Sequence, residues 1–320
     1  AAALQQSSTA KGASWTPTGP ENIGGRITDI AVDPLNNSIF YVAAATGGIY
    51  KTTNDGASWQ NVFTNAPVIT VGALAIDPSN PQVVWAGTGE ANSSSFSFIG
   101  NGIYKSSDGG ATWQHKGLEQ SAYFGRVVVD YSNGNRVFAA ATGTLFTPNA
   151  TRGVYRTTDG GNTWERVLYV NDSCAAIDLV QHPANPDILY AAMWERMRGL
   201  TYRRSYGASS GIYKSTDGGT TWTLLTNGLP GGEQKGRIGL AIGRTNPDIV
   251  YAFIDRSLNG TGVPSVFKTT DGGASWQQTN DGPLADMNSN FGWYFGQVRV
   301  DPSDDNRLWV MGVDMYRSDN

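Results

Sequence analysis

Two carboxylates stand where hydrolysis or tight binding could be done. Glu90 follows Gly-Thr-Gly at 87–89, and Glu195 lies in Trp194-Glu195-Arg196-Met197-Arg198, a segment that continues through Tyr202, Arg203, Arg204 and Tyr206. Glycosidic hydrolysis generally needs two carboxyl groups facing across the bond, about 5 to 9.5 Å apart, one as proton donor and one as base or nucleophile. Aromatic rings stack on sugar faces, and guanidinium groups grip carboxylates through paired hydrogen bonds. Trp194, Glu195, Arg196, Tyr202 and Glu90 are therefore candidate ligand contacts, with Glu90 and Glu195 the candidate catalytic groups. The alternative for the 194–210 segment is a solvated loop packed on its neighbours by Trp194 and the tyrosines. Leu200 to Ser209 is expected to be removable without loss of the strands on either side.

Other chemistries are poorly supplied. The chain has one cysteine, Cys174, and two histidines, His115 and His182, which leaves no disulfide framework and no zinc-type cluster. No cofactor motif is present. A net charge of -4 argues against a nucleic-acid partner, because phosphate binding needs a positive surface. No apolar run approaches the roughly 18 residues of a membrane span, so membrane insertion is not expected. The opening AAALQQSSTAKG is small and polar and reads either as what signal-peptide removal leaves or as an arbitrary start. The first reading gives a secreted or cell-surface protein.

The elements that must position these residues come from a repeat. A nine-residue segment recurs as KTTNDGASW at 51, KSSDGGATW at 105, RTTDGGNTW at 156, KSTDGGTTW at 214 and KTTDGGASW at 268. Between copies lie apolar or alternating runs joined by Asp/Asn-Pro turns, such as TVGALAIDPSNPQVVWAGTG, which read as strand, tight turn, strand. Four short strands at a period of about 50 residues are the pattern of a propeller blade. First strands near Arg26, Thr70, Arg126, Ala175, Arg237 and Gln297 make six units. The sixth breaks off at Asn320, inside the repeated turn, and Lys11 to Trp15, KGASW, supplies its missing half. The expectation is an all-β, six-bladed propeller over residues 11–320 after a 1–10 tail, its last blade closed by strands from both termini.

The turn fits S/T-x-D-x-G-x-T/S-W and resembles the Asp-box, or BNR-repeat, β-propellers. Asp108, Asp159, Asp217 and Asp271 hold the Asp position, with Asn54 in the first copy and Asn320 in the split one. The resemblance implies that these boxes are structural: they link the third and fourth strands at the perimeter, away from the active centre. It extends to sialidases, xyloglucan-degrading glycosidases, sortilin-type receptors and secreted bacterial glycosidase-like proteins, and WTPTGPENIGGRI with GTGE is most similar to the last group. Sialidases carry Arg-Ile-Pro where this chain has Arg26-Ile27-Thr28. Xyloglucan-cleaving members carry an Asp in a TDIGG-like segment where AATGGIY, 44–50, has none, and they use a cleft between two propellers.

If the boxes mark one end of the blades, the loops between second and third strands share the other. Those at 89–101 and 194–210 are the longest, and long loops on one face of a rigid ring form a binding surface. On the first strands Asp29, Arg126, Asp178, Arg237, Gln297 and Arg299 share one side-chain parity and hence one face. They form either a mutually neutralising network in the channel or an anion site built from Arg126 and Arg237 with Arg26 at the mouth. The leading expectation is a binding propeller for a glycan or an extracellular protein. A glycoside hydrolase is the first alternative, and self-assembly through the split blade the second.

Overall fold

Alternation of β-branched and aromatic residues with small ones makes each repeat pleat into a sheet, and the Asp/Asn-Pro turns reverse it. The computed structural model describes residues 25–319 except 93, 95, 96, 259, 260 and 290. Five four-stranded antiparallel sheets and one three-stranded sheet follow in chain order, each with its strands in sequence order. Blade one comprises Ile27–Val32, Phe40–Ala44, Gly48–Thr52 and Gln60–Asn61. First strands of the remaining blades are Val71–Asp77, Phe124–Val129, Cys174–Gln181, Lys235–Ile242 and Gln297–Val300. The molecule is a six-bladed β-propeller. The expected pairing of Ser14 to Thr16 beside Met315 to Arg317, the 1–10 tail, Lys11 to Trp15 and Asn320 lie outside the described residues.

Second strands are the most buried, and Val137–Ala141 is buried throughout. Rows of alanine, as in Ala139, Ala140 and Ala141, let neighbouring sheets approach closely while large residues such as Phe138 fill the space between them. Burying one side chain of that size contributes on the order of 2–3 kcal/mol. The apolar clusters lie between consecutive blades, from one and two through five and six, so cohesion runs along the series of blades.

The repeated turn closes on itself. Ser106 Oγ donates to Asp108 Oδ1 at 2.7 Å and accepts the Gly110 N–H at 2.8 Å. Asp108 also accepts the Thr112 N–H at 2.8 Å and its hydroxyl at 2.6 Å. These bonds, the Thr112 hydroxyl foremost, pull the exposed Asp108 carboxyl down to about 2. Gly109 and Gly110 both have positive φ, 68° and 92°, which explains the paired glycines. In the first copy Asp55 takes the corresponding left-handed position, and Asn54 Oδ1 accepts the Thr52 hydroxyl and the Ser58 N–H. The turns of blades two to five are also pinned to the preceding blade. Gly109 O accepts from Tyr41 Oη and Lys51 Nζ, both at 2.8 Å, and Gly272 O accepts from Tyr190 and Lys214.

The first strands carry a feature the alternation did not reveal. Register shifts interrupt their pairing at Ile27/Asp29, Val71/Ala73, Ala176/Asp178 and Lys235/Ile238, and at Phe124–Arg126 in blade three. Such bulges re-aim the following side chain, here toward the channel. Close approach of the next blade forces glycine at two of them. A Cβ on Gly72 would lie 2.3 Å from Phe124 O, and one on Gly125 2.2 Å from Ile177 O.

Candidate functional site

Immediately after their bulges, Asp29, Arg126 and Asp178 meet across the channel. Arg126 Nε donates to Asp178 Oδ1 at 2.8 Å and Nη1 reaches both Asp29 oxygens at 3.2 Å, tying blade three to blades four and one. The carboxylates in turn accept backbone N–H groups from the next blade, Asp29 from Leu74 and Asp178 from Leu240. Burial opposes charge at Arg126, but Asp178 and Asp29 override it and raise its pKa. Burial likewise works against the Asp178 carboxylate, and Arg126 above all holds its pKa below the ordinary value. Of the two readings of the shared parity, the neutralising network describes Arg126.

Above this brace a cavity of about 610 Å³ opens at one end of the channel, lined by Arg26, Asp29, Glu90, Asn92, Arg237, Tyr294 and neighbours. Glu90 reaches it because the chain turns at Gly89, φ 80°, where a Cβ would lie 2.0 Å from Ala122 O. The Glu90 side chain is inaccessible yet fully engaged. Arg26 Nη2 donates to Oε2 at 2.8 Å, Asn92 Nδ2 to Oε1 at 3.2 Å, and the Tyr294 hydroxyl also donates to Oε1. The hydrogen bond to Glu90 is the main reason the Arg26 pKa rises. Burial first, and then the bond to Glu90, pushes the Tyr294 hydroxyl up to about 12. Arg237 donates to Asn92 Oδ1 and, at 3.0 Å, to Tyr294 O.

The segment beginning at Trp194 is arranged differently from the open loop its composition suggested. Blade four's second strand runs on through Glu195, which pairs with Cys174, so Trp194 is 0% exposed. Its ring lies between the guanidinium groups of Arg196 and Arg237, each 5.6 Å from the centroid, and its Nε1 donates to Ser205 O. Arg196 is also 0% exposed and donates to Ala91 O at 2.6 Å. Burial, reinforced by Arg152, pushes its guanidinium down to about 9. Glu195 braces a hairpin, Met197–Arg198 with Arg203–Arg204, by accepting from Arg204 Nη1 at 3.2 Å and from the Ser209 N–H. Tyr202 sits at that hairpin's tip, exposed, its hydroxyl 3.6 Å from Met197 Sδ. Neither Glu195 nor Tyr202 lines the mouth, so the structure does not bring Glu90 and Glu195 into one pocket.

Sequence reasoning passed over several residues placed here. Asn92 links Glu90 to Arg237, and Tyr294 caps Glu90 from the crossover into blade six. The available signal was aromatic density, four aromatics in the five residues 291–295. Arg152, buried, donates to the carbonyls of Arg196, Ser173 and Thr144 and fixes the base of the Trp194 segment. Asp255, fully buried, accepts the Tyr206 hydroxyl at 2.7 Å while its Oδ1 has no partner; burial raises it to about 6.

Comparison with known proteins agrees with this architecture. The family model described as sortilin, neurotensin receptor 3, matches residues 101–242. Xyloglucanase Xgh74A of Acetivibrio thermocellus is 25% identical over 92% of this chain and 40% of its own length. A xyloglucanase from a Paenibacillus species is 26% identical over 92% of this chain and 30% of its own. The chain thus spans well under half the length of these relatives. Among solved structures, a GH74 enzyme from Niastella koreensis superposes with a TM-score of 0.70 at 23% identity, covering 92% of this chain and 45% of that one. The GH74 xyloglucanase from Xanthomonas campestris gives 0.69 at 19% identity, with the same coverage. The latter two show the fold alone. Six blades, self-closing box turns and these similarities together support a BNR-like β-propeller.

Proposed function

We propose that the protein is a glycan-engaging propeller of the glycoside-hydrolase kind, that a β-glucan of the xyloglucan class crosses the mouth, and that Glu90 is the carboxylate facing the sugar. The observation that carries this reading is the similarity to xyloglucanases along 92% of the chain. It departs from the binding-only expectation, which rested on the partial match to sialidases, the missing Asp in AATGGIY and the two-propeller cleft that xyloglucan-cleaving members use.

The mouth suits a sugar: Tyr294 and Phe295 supply rings, and Asn92 and Gln297 supply neutral polar groups. Glu90 accepts from Arg26, Asn92 and Tyr294 and has no accessible surface, so it acts on a sugar only where those contacts open. Asp29, the other carboxylate in the wall, is committed to Arg126 and the Leu74 N–H. The second carboxyl group for hydrolysis would then come from beyond these residues.

That same saturation favours the second reading, glycan binding without turnover. Incubation with xyloglucan separates the two. Hydrolysis predicts reducing ends from the wild type and a loss of at least 100-fold in Glu90→Gln with binding retained. Binding with no reducing ends from either protein selects the second reading. No binding of xyloglucan by the wild type refutes both. A polysaccharide ligand also implies a secreted or cell-surface location, which fractionation of the producing cells checks.

A further inference from the structure

What covers Glu90 also decides when it can be reached. The anion site expected from Arg126, Arg237 and Arg26 is largely spent on the protein itself, Arg26 on Glu90 and Arg126 on Asp29 and Asp178. Tyr294 reaches Glu90 from the crossover 291–295, which lies between strands rather than within one. Three contacts hold that crossover. Arg203 lies over the Trp293 ring at 3.9 Å, Arg237 Nη1 donates to Tyr294 O at 3.0 Å, and Gly292 packs on the Asp255 carboxyl, where a Cβ would lie 2.0 Å from Oδ1. The third contact is conditional. Asp255 is 0% exposed, its Oδ2 accepts the Tyr206 hydroxyl, and its Oδ1 has no partner. A neutral carboxyl fits so dry a place, whereas an ionised one strands charge against the Gly292 backbone. Facing it are Tyr206 from the Trp194 segment, Arg203 from the hairpin there and Arg237 from the first strand of blade five. The third strand of that blade presents Gly262, and the titratable group of the crossover, Tyr294, is turned to Glu90. Burial outweighs the two guanidinium groups and raises Asp255 to about 6.

We infer that the crossover 291–295 is a cap on Glu90 released by ionisation of Asp255: the neutral carboxyl lets Gly292 seat and Tyr294 cover Glu90, and the carboxylate unseats Gly292 so that water reaches Oδ1 and Tyr294 draws back. This rests on the glycan reading and adds the control of that same site, since Glu90 meets a sugar only with its contacts open. The proton is bound more tightly with the cap shut, so acid closes it. Asp255 titrates at about 6 when closed and near the ordinary value of about 4 in water, so opening gains up to about 100-fold as the pH rises from 4 through 6 and levels off above.

The test is hydrogen exchange of the whole chain, read by mass spectrometry on peptides covering 291–296 from pH 4 to 7 and corrected for intrinsic amide rates, with xyloglucan titrated calorimetrically at the same pH values. Exchange should rise at least tenfold over that range in the wild type and level off above about pH 6. Asp255→Asn keeps the acceptor for Tyr206 and cannot ionise, so its exchange should stay slow and flat, with circular dichroism verifying the sheets. Tyr206→Phe removes a donor that favours the carboxylate, so its rise should be displaced to higher pH. Xyloglucan should bind the wild type at least tenfold tighter at pH 7 than at pH 4, and Asp255→Asn nearly equally at both. Exchange that is flat in the wild type, or that rises as much in Asp255→Asn, overturns the inference, and xyloglucan binding in the same samples then leaves the glycan reading intact. Binding that ignores pH while exchange follows it overturns the inference too. Exchange that follows Asp255 with no xyloglucan bound at any pH upholds the cap and refutes the glycan reading.

Discussion

Arg126→Met should be the most damaging single change in the channel. The three side chains of the brace are 17%, 8% and 7% exposed for Arg126, Asp29 and Asp178, so solvent cannot replace the lost guanidinium. Two carboxylates would remain, each still accepting a backbone N–H from the neighbouring blade, and neither could move to water without breaking that bond. Removing one partner of a buried ion pair typically costs about 3–5 kcal/mol, much of it the penalty on the charge left behind. Urea unfolding followed by tryptophan fluorescence measures the loss. Two controls separate charge from packing. The triple variant Arg126→Met, Asp29→Asn, Asp178→Asn keeps the acceptors for Leu74 and Leu240 and removes the stranded charges, so it should recover at least half the loss. The single variant's deficit should also shrink as the pH falls toward 4. In the wild type the depressed Asp178 pKa adds stability that is present at neutral pH and fades in acid, whereas in the variant protonation relieves the stranded carboxylate. A loss below about 1 kcal/mol, or a triple variant no better than the single, would refute the brace.

Further expectations concern other parts of the molecule. Ser106→Ala should lower stability by about 1–3 kcal/mol, because the hydroxyl that satisfies the Gly110 N–H is buried; thermal melting checks this, and xyloglucan binding should be unchanged. Asp255 binds its proton more tightly folded than unfolded, so the stability linked to it is full below about pH 4 and lost as the pH rises through about 6, a change on the order of 3 kcal/mol. Asp255→Asn should flatten that decline and be the more stable protein at pH 8, and melting curves from pH 4 to 8 decide it.

The box turns were legible because nearly all their determinants lie within nine residues: a hydroxyl, a carboxyl four residues from its second partner, and a pair of glycines. The channel parity was legible as well, since Arg126 and Asp178 follow their bulges and alternation is undisturbed from there to the turn. The bulges were not, because what demands them is the approach of another blade, as at Gly72 beneath Phe124. Trp194 and Arg196 read as loop residues because Arg and Glu around them suggest solvent. The strand continues because Cys174 lies opposite Glu195, and Arg152 covers the carbonyls that a loop would have offered to water. For the same reason Leu200 to Ser209 is not dispensable: Ser205 O holds Trp194 and Tyr206 holds Asp255. Tyr294 escaped notice because its stretch belongs to no repeat, and periodicity illuminates only what recurs.

The pinning of the boxes of blades two to five to the blade before them gives the series a direction. Blade one grips the box of blade two through Tyr41 and Lys51, and blade four grips that of blade five through Tyr190 and Lys214. A blade that loosens therefore releases its successor's turn, while its own turn stays clasped from behind. Disorder entering such a ring travels more readily one way around it than the other.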